Sequence, residues 1–153
     1  MYNDITWKES EQKVQQFMKK KGYNILLTNF SCVGVELDIV AILSKSAQKN
    51  ILKLQAKQRI LEDKQNKKIY KNSLKNALKH IEDLLVITEV KGRETDKFGL
   101  GSEHISDKKK SNIIRGARYL QTDKRFEKYQ IRFDVASVDA GKVTYIENAF
   151  WFK

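Results

Sequence analysis

Leu84-Leu85-Val86-Ile87-Thr88-Glu89-Val90-Lys91 decides the fold of this chain. The run is apolar on both faces before Glu89, the pattern of a central strand covered on both sides. It then ends in charge. A strand alternates faces, so Glu89 and Lys91 project together. A carboxylate and an ammonium among Leu, Ile and Val are costly unless paired or bound to metal.

The same pattern recurs upstream in Cys32-Val33-Gly34-Val35-Glu36-Leu37-Asp38-Ile39-Val40. Strands are predicted over Asn24 to Phe30 and Val35 to Leu43, with Gly34 at the turn or bulge between them. Alternation predicts that Glu36 and Asp38 share a face.

Further out lie two core helices. Thr6 to Lys21 reads as a helix opened by the capping box Thr6-x-x-Glu9 and stopped at Gly22. Trp7, Val14, Phe17 and Met18 form its apolar face, and Glu11 falls on that stripe, either as a rim residue or as an acid aimed at the sheet. A second helix starts near Ser106 or Asp107 and buries Ile113, Ile114, Ala117 and Leu120. Ile131 to Val138 and Val143 to Asn148 read as a hairpin around Asp139-Ala140-Gly141-Lys142. The order α-β-β-β-α-β-β predicts an α/β domain with a mixed sheet flanked by helices.

Residues 44–83 are of another kind. They hold 11 Lys and Arg against 4 Asp and Glu, and neither glycine nor proline. Ile51, Leu54, Ile60 and Leu61 give one helical stripe; Tyr70, Leu74, Ala77, Leu78 and Ile81 give another, with a polar turn over 62–68 between. The segment reads as a basic helical insertion between strands two and three, within a single domain spanning 1–153.

Bulk properties narrow the function classes. The chain has 153 residues, 41% hydrophobic and 32% charged, which is globular composition. A net charge of +11 favours an anionic partner, nucleic acid first. One cysteine, Cys32, excludes an intrachain disulfide, and a thiolate-rich zinc site does not fit. Two histidines, His80 and His104, argue against histidine-based catalysis. No apolar window is long enough to span a bilayer and the first residues carry no secretory pattern, so the expectation is a cytoplasmic protein without a membrane partner.

Carboxylates plus a lysine on successive core strands suit a Mg²⁺- or Mn²⁺-dependent phosphodiesterase. Asp38 and Glu89 are the candidate direct ligands and Val90's carbonyl a third. Lys91 is the candidate for the phosphate or the attacking water, and Glu11 a further acid coming over the sheet. The same residues also suit an ordinary ion-pair cluster at a sheet end.

The motifs together resemble the bacterial YraN family of predicted endonucleases, similar to archaeal Holliday junction resolvases within the PD-(D/E)XK nuclease superfamily. Ser10-Glu11 followed by Gly22-Tyr23, Asn29-Phe30, Gly34-x-Glu36-Leu37-Asp38, and Glu89-Val90-Lys91-Gly92-Arg93 occur in the family's order. Phe98-Gly99, Asp107-Lys108-Lys109, Ala117-Arg118-Tyr119-Leu120, Arg132-Phe133-Asp134 and Ile146-Glu147-Asn148-Ala149-Phe150 follow. The resemblance implies a restriction-endonuclease-like core with Asp38, Glu89 and Lys91 catalytic, and Glu11 as the helix-borne acid of the resolvase branch. Ser10 departs from the family's glycine. The insertion lies outside the resemblance, since the family joins these strands by a short turn.

Phosphate contacts would then dominate binding. The candidates are Lys67 and Lys68 on the insertion, with Arg93, Lys108, Lys109, Lys110 and Arg115 near the core. No base-reading motif is present, so sequence-specific recognition is not expected. A catalytically silent nucleic-acid-binding module of the same fold is the alternative. The insertion's apolar stripes, or an exposed Phe150-Trp151-Phe152, would offer a homodimer interface.

Overall fold

The computed structural model describes residues 2–92 and 105–152. Its elements are α1 (Tyr2–Lys20), β1 (Asn24–Cys32), β2 (Val35–Leu43), α2 (Lys45–Glu62), α3 (Lys67–Leu78), β3 (Leu84–Gly92), α4 (Asp107–Leu120), β4 (Gln130–Asp139) and β5 (Lys142–Phe150). The strands form one mixed sheet in the order β1-β2-β3-β4-β5. Only β3 and β4 run parallel; the other three pairs are antiparallel. A parallel pair needs a long crossover, and α4 lies in it.

The predicted α/β architecture is the one observed. β3 is central and its residues Leu85, Val86, Ile87 and Val90 are buried. Its two faces feed two cores. Leu85 and Ile87 lie with Leu37, Ile113 and Phe133 under α4. Val86 and Val90 lie with Val14, Met18 and Ile39 under α1. Full burial of Val14 and Met18 contributes about 1.5–3 kcal/mol each to holding α1 on the sheet.

Local chemistry explains the ends. At the foot of α1, Gly22 has φ +94°, which a side-chain-bearing residue resists. There the Tyr23 N–H donates to Met18 O at 3.0 Å and the Gly22 N–H to Lys19 O at 3.0 Å, the paired bonds of a Schellman stop. Ser106 caps α4 by accepting the Lys109 N–H. Gly116 lets α4 approach β2: a Cβ there would meet Leu37 Cδ2 at 2.9 Å.

The start of α1 differs from the sequence reading. The helix begins at Tyr2, so the Thr6-x-x-Glu9 box lies inside it. A capping pattern permits a start but does not forbid helix upstream, and residues 2–5 contain neither glycine nor proline to stop one. Trp7 is exposed, at the rim of the face it was expected to anchor.

The insertion is a helical hairpin. Asp63 ends α2 and a single 3₁₀ turn over Lys64–Asn66 leads into α3. Its apolar stripes are only half covered, with Leu54, Leu61 and Ile69 exposed. Ala47 and Ile51 dock its base on the α1-side core. Gln48 clasps that base, its Nε2 donating to Leu43 O at 3.2 Å and Glu82 O at 2.6 Å. No helix among the described residues is long and apolar enough to cross a membrane.

Candidate active site

Asp38 sits at an irregularity in β2. Val35, Leu37 and Val40 belong to the core under α4, whereas Ile39, Ala41 and Leu43 belong to the core under α1. The alternation therefore slips by one residue at Asp38. In β1 the facing residue is Asn29, with φ +49°. The two strands stay in register on either side, Thr28↔Ile39 and Phe30↔Leu37. The slip corrects one expectation: Glu36 is exposed while Asp38 is 5% exposed, so the two acids do not share a face. Strict alternation fails at the point where β2 parts from β3.

That departure is visible in the ladder. β2 and β3 pair from Leu43↔Leu84 to Ile39↔Thr88 and no further. Past this point the Val90 N–H donates to Asp38 Oδ2 at 2.8 Å. Glu89, also 5% exposed, hydrogen-bonds the Asp38 carboxyl. Burial, then the like charge of Glu89, pushes the Asp38 carboxyl up to about 7, against the pull of the Val90 N–H and Lys109. The Asp38 carboxyl is therefore the group of the pair that burial and its neighbour push toward the protonated form.

The two helix layers meet at this kink. From α4, Lys109 Nζ lies 3.2 Å from Glu89 Oε1. From α1, Glu11 is buried and accepts the Asn29 Nδ2 donor at 3.1 Å through Oε2. Its Oε1 is buried with no hydrogen-bond partner among the described residues. Lys91 is half-buried and shares Glu89's face by strand alternation.

Asp38, Glu89 and the backbone of Val90 are thus brought together, with Lys91 adjoining and Glu11 on the facing strand's Asn29. No group of three or more His, Cys, Asp or Glu side chains close enough to hold a metal occurs among the described residues. Arg93, Phe98-Gly99 and His104 lie outside the described residues. Lys108 and Arg115 are exposed and Lys110 half-buried on α4. Lys67 and Lys68 are exposed on α3, which leaves the sheet at the Leu43–Leu84 end, about 17 Å along β2 from Asp38.

Two residues escaped the sequence reading of the site. Asn29 holds Glu11, and its signal was a polar residue in a strand that tolerates positive φ. Lys109 is a candidate phosphate contact whose pairing with Glu89 the sequence did not reveal. Its signal was three lysines in the first turn of α4, where the helix dipole favours acids.

A separate polar cluster behind the site is structural. Asp134 is fully buried and accepts from Arg132 Nε at 2.8 Å, Arg132 Nη2 at 2.7 Å, Tyr145 Oη at 2.6 Å and the Asn148 N–H at 2.9 Å. Cys32 is buried, as expected of a structural thiol, and burial raises its pKa.

Residues 10–138 match the model of the Uncharacterised protein family UPF0102, and the chain belongs to that family. It is 30% identical over 146 residues to a UPF0102 protein of Clostridium acetobutylicum, covering 92% of this chain and 88% of that one. To a UPF0102 protein of Fusobacterium nucleatum it is 31% identical over 143 residues, covering 94% and 88%. The matched span contains Glu11, Asp38, Glu89, Lys91 and Lys109.

Proposed function

We propose that this protein is a Mg²⁺- or Mn²⁺-dependent endonuclease that hydrolyses phosphodiester bonds in DNA, branched or flapped DNA included. The observation that carries the reading is the buried Asp38–Glu89 pair where β2 and β3 part. Two carboxylates forced together in a dry place call for a cation between them. The donors are all hard oxygens, which fits Mg²⁺ with its remaining positions filled by water. Glu11 Oε1, buried with no hydrogen-bond partner among the described residues, leaves a further acid unsatisfied beside Asn29, the residue facing Asp38. The order of motifs, which resembles that of the YraN family of predicted endonucleases, points the same way.

Asp38 and Glu89 would hold the ion, with the Val90 carbonyl as a third candidate oxygen, and Glu11 would have to move in from α1 to join them. A bound divalent cation supplies charge neutralisation at the phosphate. Lys91, beside Glu89, donates to a phosphate oxygen or steadies the attacking water. In hydrolysis the water oxygen forms the new bond to phosphorus, one ester P–O bond breaks, and the leaving oxygen takes a proton. Lys109 pairs with Glu89 and, with a cation held at Glu89, would be available to a phosphate oxygen. The net charge of +11 supports a polyanionic substrate.

One observation favours the silent binding module: no three-residue metal-holding group forms among the described residues. The test compares wild type with Glu89→Ala and Lys91→Ala on branched, flapped and linear DNA, with Mg²⁺, Mn²⁺ or EDTA. The nuclease reading expects metal-dependent cleavage, lost in both variants with binding kept. Binding without cleavage under any metal would support the silent module.

A further inference from the structure

Between α4 and the end of β5 runs a groove of about 570 Å³ that the catalytic reading does not use. Lys110, Arg115 and Arg118 line it from α4, and Trp151 closes it from the C-terminal side. Of the aromatic triplet that ends the chain, Phe150 is buried and stacks on Phe133, ring centroids 4.9 Å apart. Phe152 takes Arg118 over its ring at 5.7 Å. Trp151, anchored on both sides by these contacts, is 69% exposed. Burying Phe150 while turning the indole of Trp151 outward, with Phe152 also exposed beside it, wastes apolar area unless something covers it.

We infer that this groove binds an unpaired stretch of a nucleic-acid strand, a base stacking on Trp151 and the adjoining phosphates lying on Lys110, Arg115 and Arg118. Three cations and an exposed ring are the combination that holds single strands without reading sequence. None of the three cations is in an ion pair with an acid among the described residues, although Asp107 stands at the groove's edge. The volume lies in the roughly 300–1,000 Å³ range of ligand clefts, room for a nucleotide or two and too small for a duplex. A base within a duplex also offers no free face to the indole. The groove shares α4 with Lys109, so a strand lying in it leads toward Glu89. The inference rests on the nucleic-acid side of the reading above and adds a substrate preference to it: DNA with an unpaired segment.

The test is a metal-free titration of the full chain. Trp7→Phe leaves Trp151 as the one indole reporter. A short oligothymidylate should quench its fluorescence, and a matched duplex should not. Labelled oligothymidylate should bind Trp151→Leu and Arg118→Gln about tenfold more weakly or worse, with circular dichroism unchanged. Wild-type affinity in both variants overturns the inference. So does equal quenching by thymidine monophosphate, which would make the groove a free-nucleotide site. A dimer that Trp151→Leu splits while strand affinity stays constant would overturn it too, as an interface between copies. Cleavage needs metal and this titration does not, so the two readings fail separately. Strand binding without cleavage leaves the groove and removes the nuclease. Cleavage with unaltered binding in both groove variants does the reverse.

Discussion

Asp38 accepts the backbone N–H of Val90 and so fastens β2 to β3 beyond the last pair of their ladder. The carboxylate replaces a carbonyl that the departing strand no longer supplies. Its carboxyl also stands beside that of Glu89. One side chain thereby ends the pairing, satisfies a buried donor and builds the acid pair.

The Asp38 carboxyl should make the metal-free protein less stable as pH rises. Its folded pKa of about 7 lies above the ordinary 3.8, so the folded state holds an extra proton between those values. The associated stability is fully present below about pH 4 and is lost as pH climbs through 7. Melting in EDTA should show Tm falling across this window in wild type relative to Asp38→Asn. Adding Mn²⁺ should restore more at the alkaline end, where no proton has to be displaced. Parallel curves for the two proteins would deny the Asp38 carboxyl its raised pKa.

Asn29 is the hydrogen-bond donor that holds buried Glu11. Asn29→Gly keeps the positive φ and removes the amide. It should cost about 1.5–3 kcal/mol in urea unfolding, the range for a hydrogen bond to a charge. In a Glu11→Gln background the same change should cost clearly less. A double-mutant cycle with no coupling would show that Asn29 acts only through its backbone.

Lys109 is half-exposed, so its pairing with Glu89 contributes about 1 kcal/mol or less. Lys109→Met should lower Tm slightly in EDTA near neutral pH. The same variant should bind Mn²⁺ more tightly by calorimetry, because the ion no longer competes with an ammonium. Weaker Mn²⁺ binding would place Lys109 on the side of the metal rather than against it.

Asp134 carries the opposite expectation, a purely structural one. Asp134→Ala leaves a guanidinium, a phenol and a backbone N–H short of their acceptor. It should cost about 3–5 kcal/mol, with Asp134→Asn milder. Chemical denaturation reads this directly, and a cost under 1 kcal/mol would mean that water takes the place of the carboxylate.

The α2–α3 hairpin can be excised, because Leu43 and Leu84 are cross-strand partners and an Asn-Gly turn can join them. The shortened protein should fold, with a modest loss from undocking Ala47 and Ile51. Lysines recur four residues apart at 45, 49, 53 and 57 and at 67, 71, 75 and 79, and no acid lies in 45–61 or 64–81. Such rows repel themselves unless an anion faces them. DNA binding of the shortened protein should therefore show a shallower dependence on salt. An unchanged slope would take the hairpin out of the nucleic-acid interface.

Much of this was legible in the chain. Leu84 to Val90 reads as a central strand, since Leu84 to Ile87 put apolar side chains on both faces. The helix stop at Gly22, the cap at Ser106 and the break near Asp63 are local chemistry, readable wherever they occur. Glu89 and Lys91 stay on one face because nothing interrupts β3.

Tertiary structure decided the rest. Alternation placed Glu36 beside Asp38, but the slip opposite Asn29 exposes one and buries the other, and a slip depends on two strands at once. Pairing Lys109 with Glu89, and Asn29 with Glu11, depends on how two helix layers reach one kink. Turning Trp151 outward depends on where Phe133 and Arg118 stand. Periodicity reports which face a residue takes within its own element. Which partner waits on that face is set by long-range packing, and no stretch of sequence contains it.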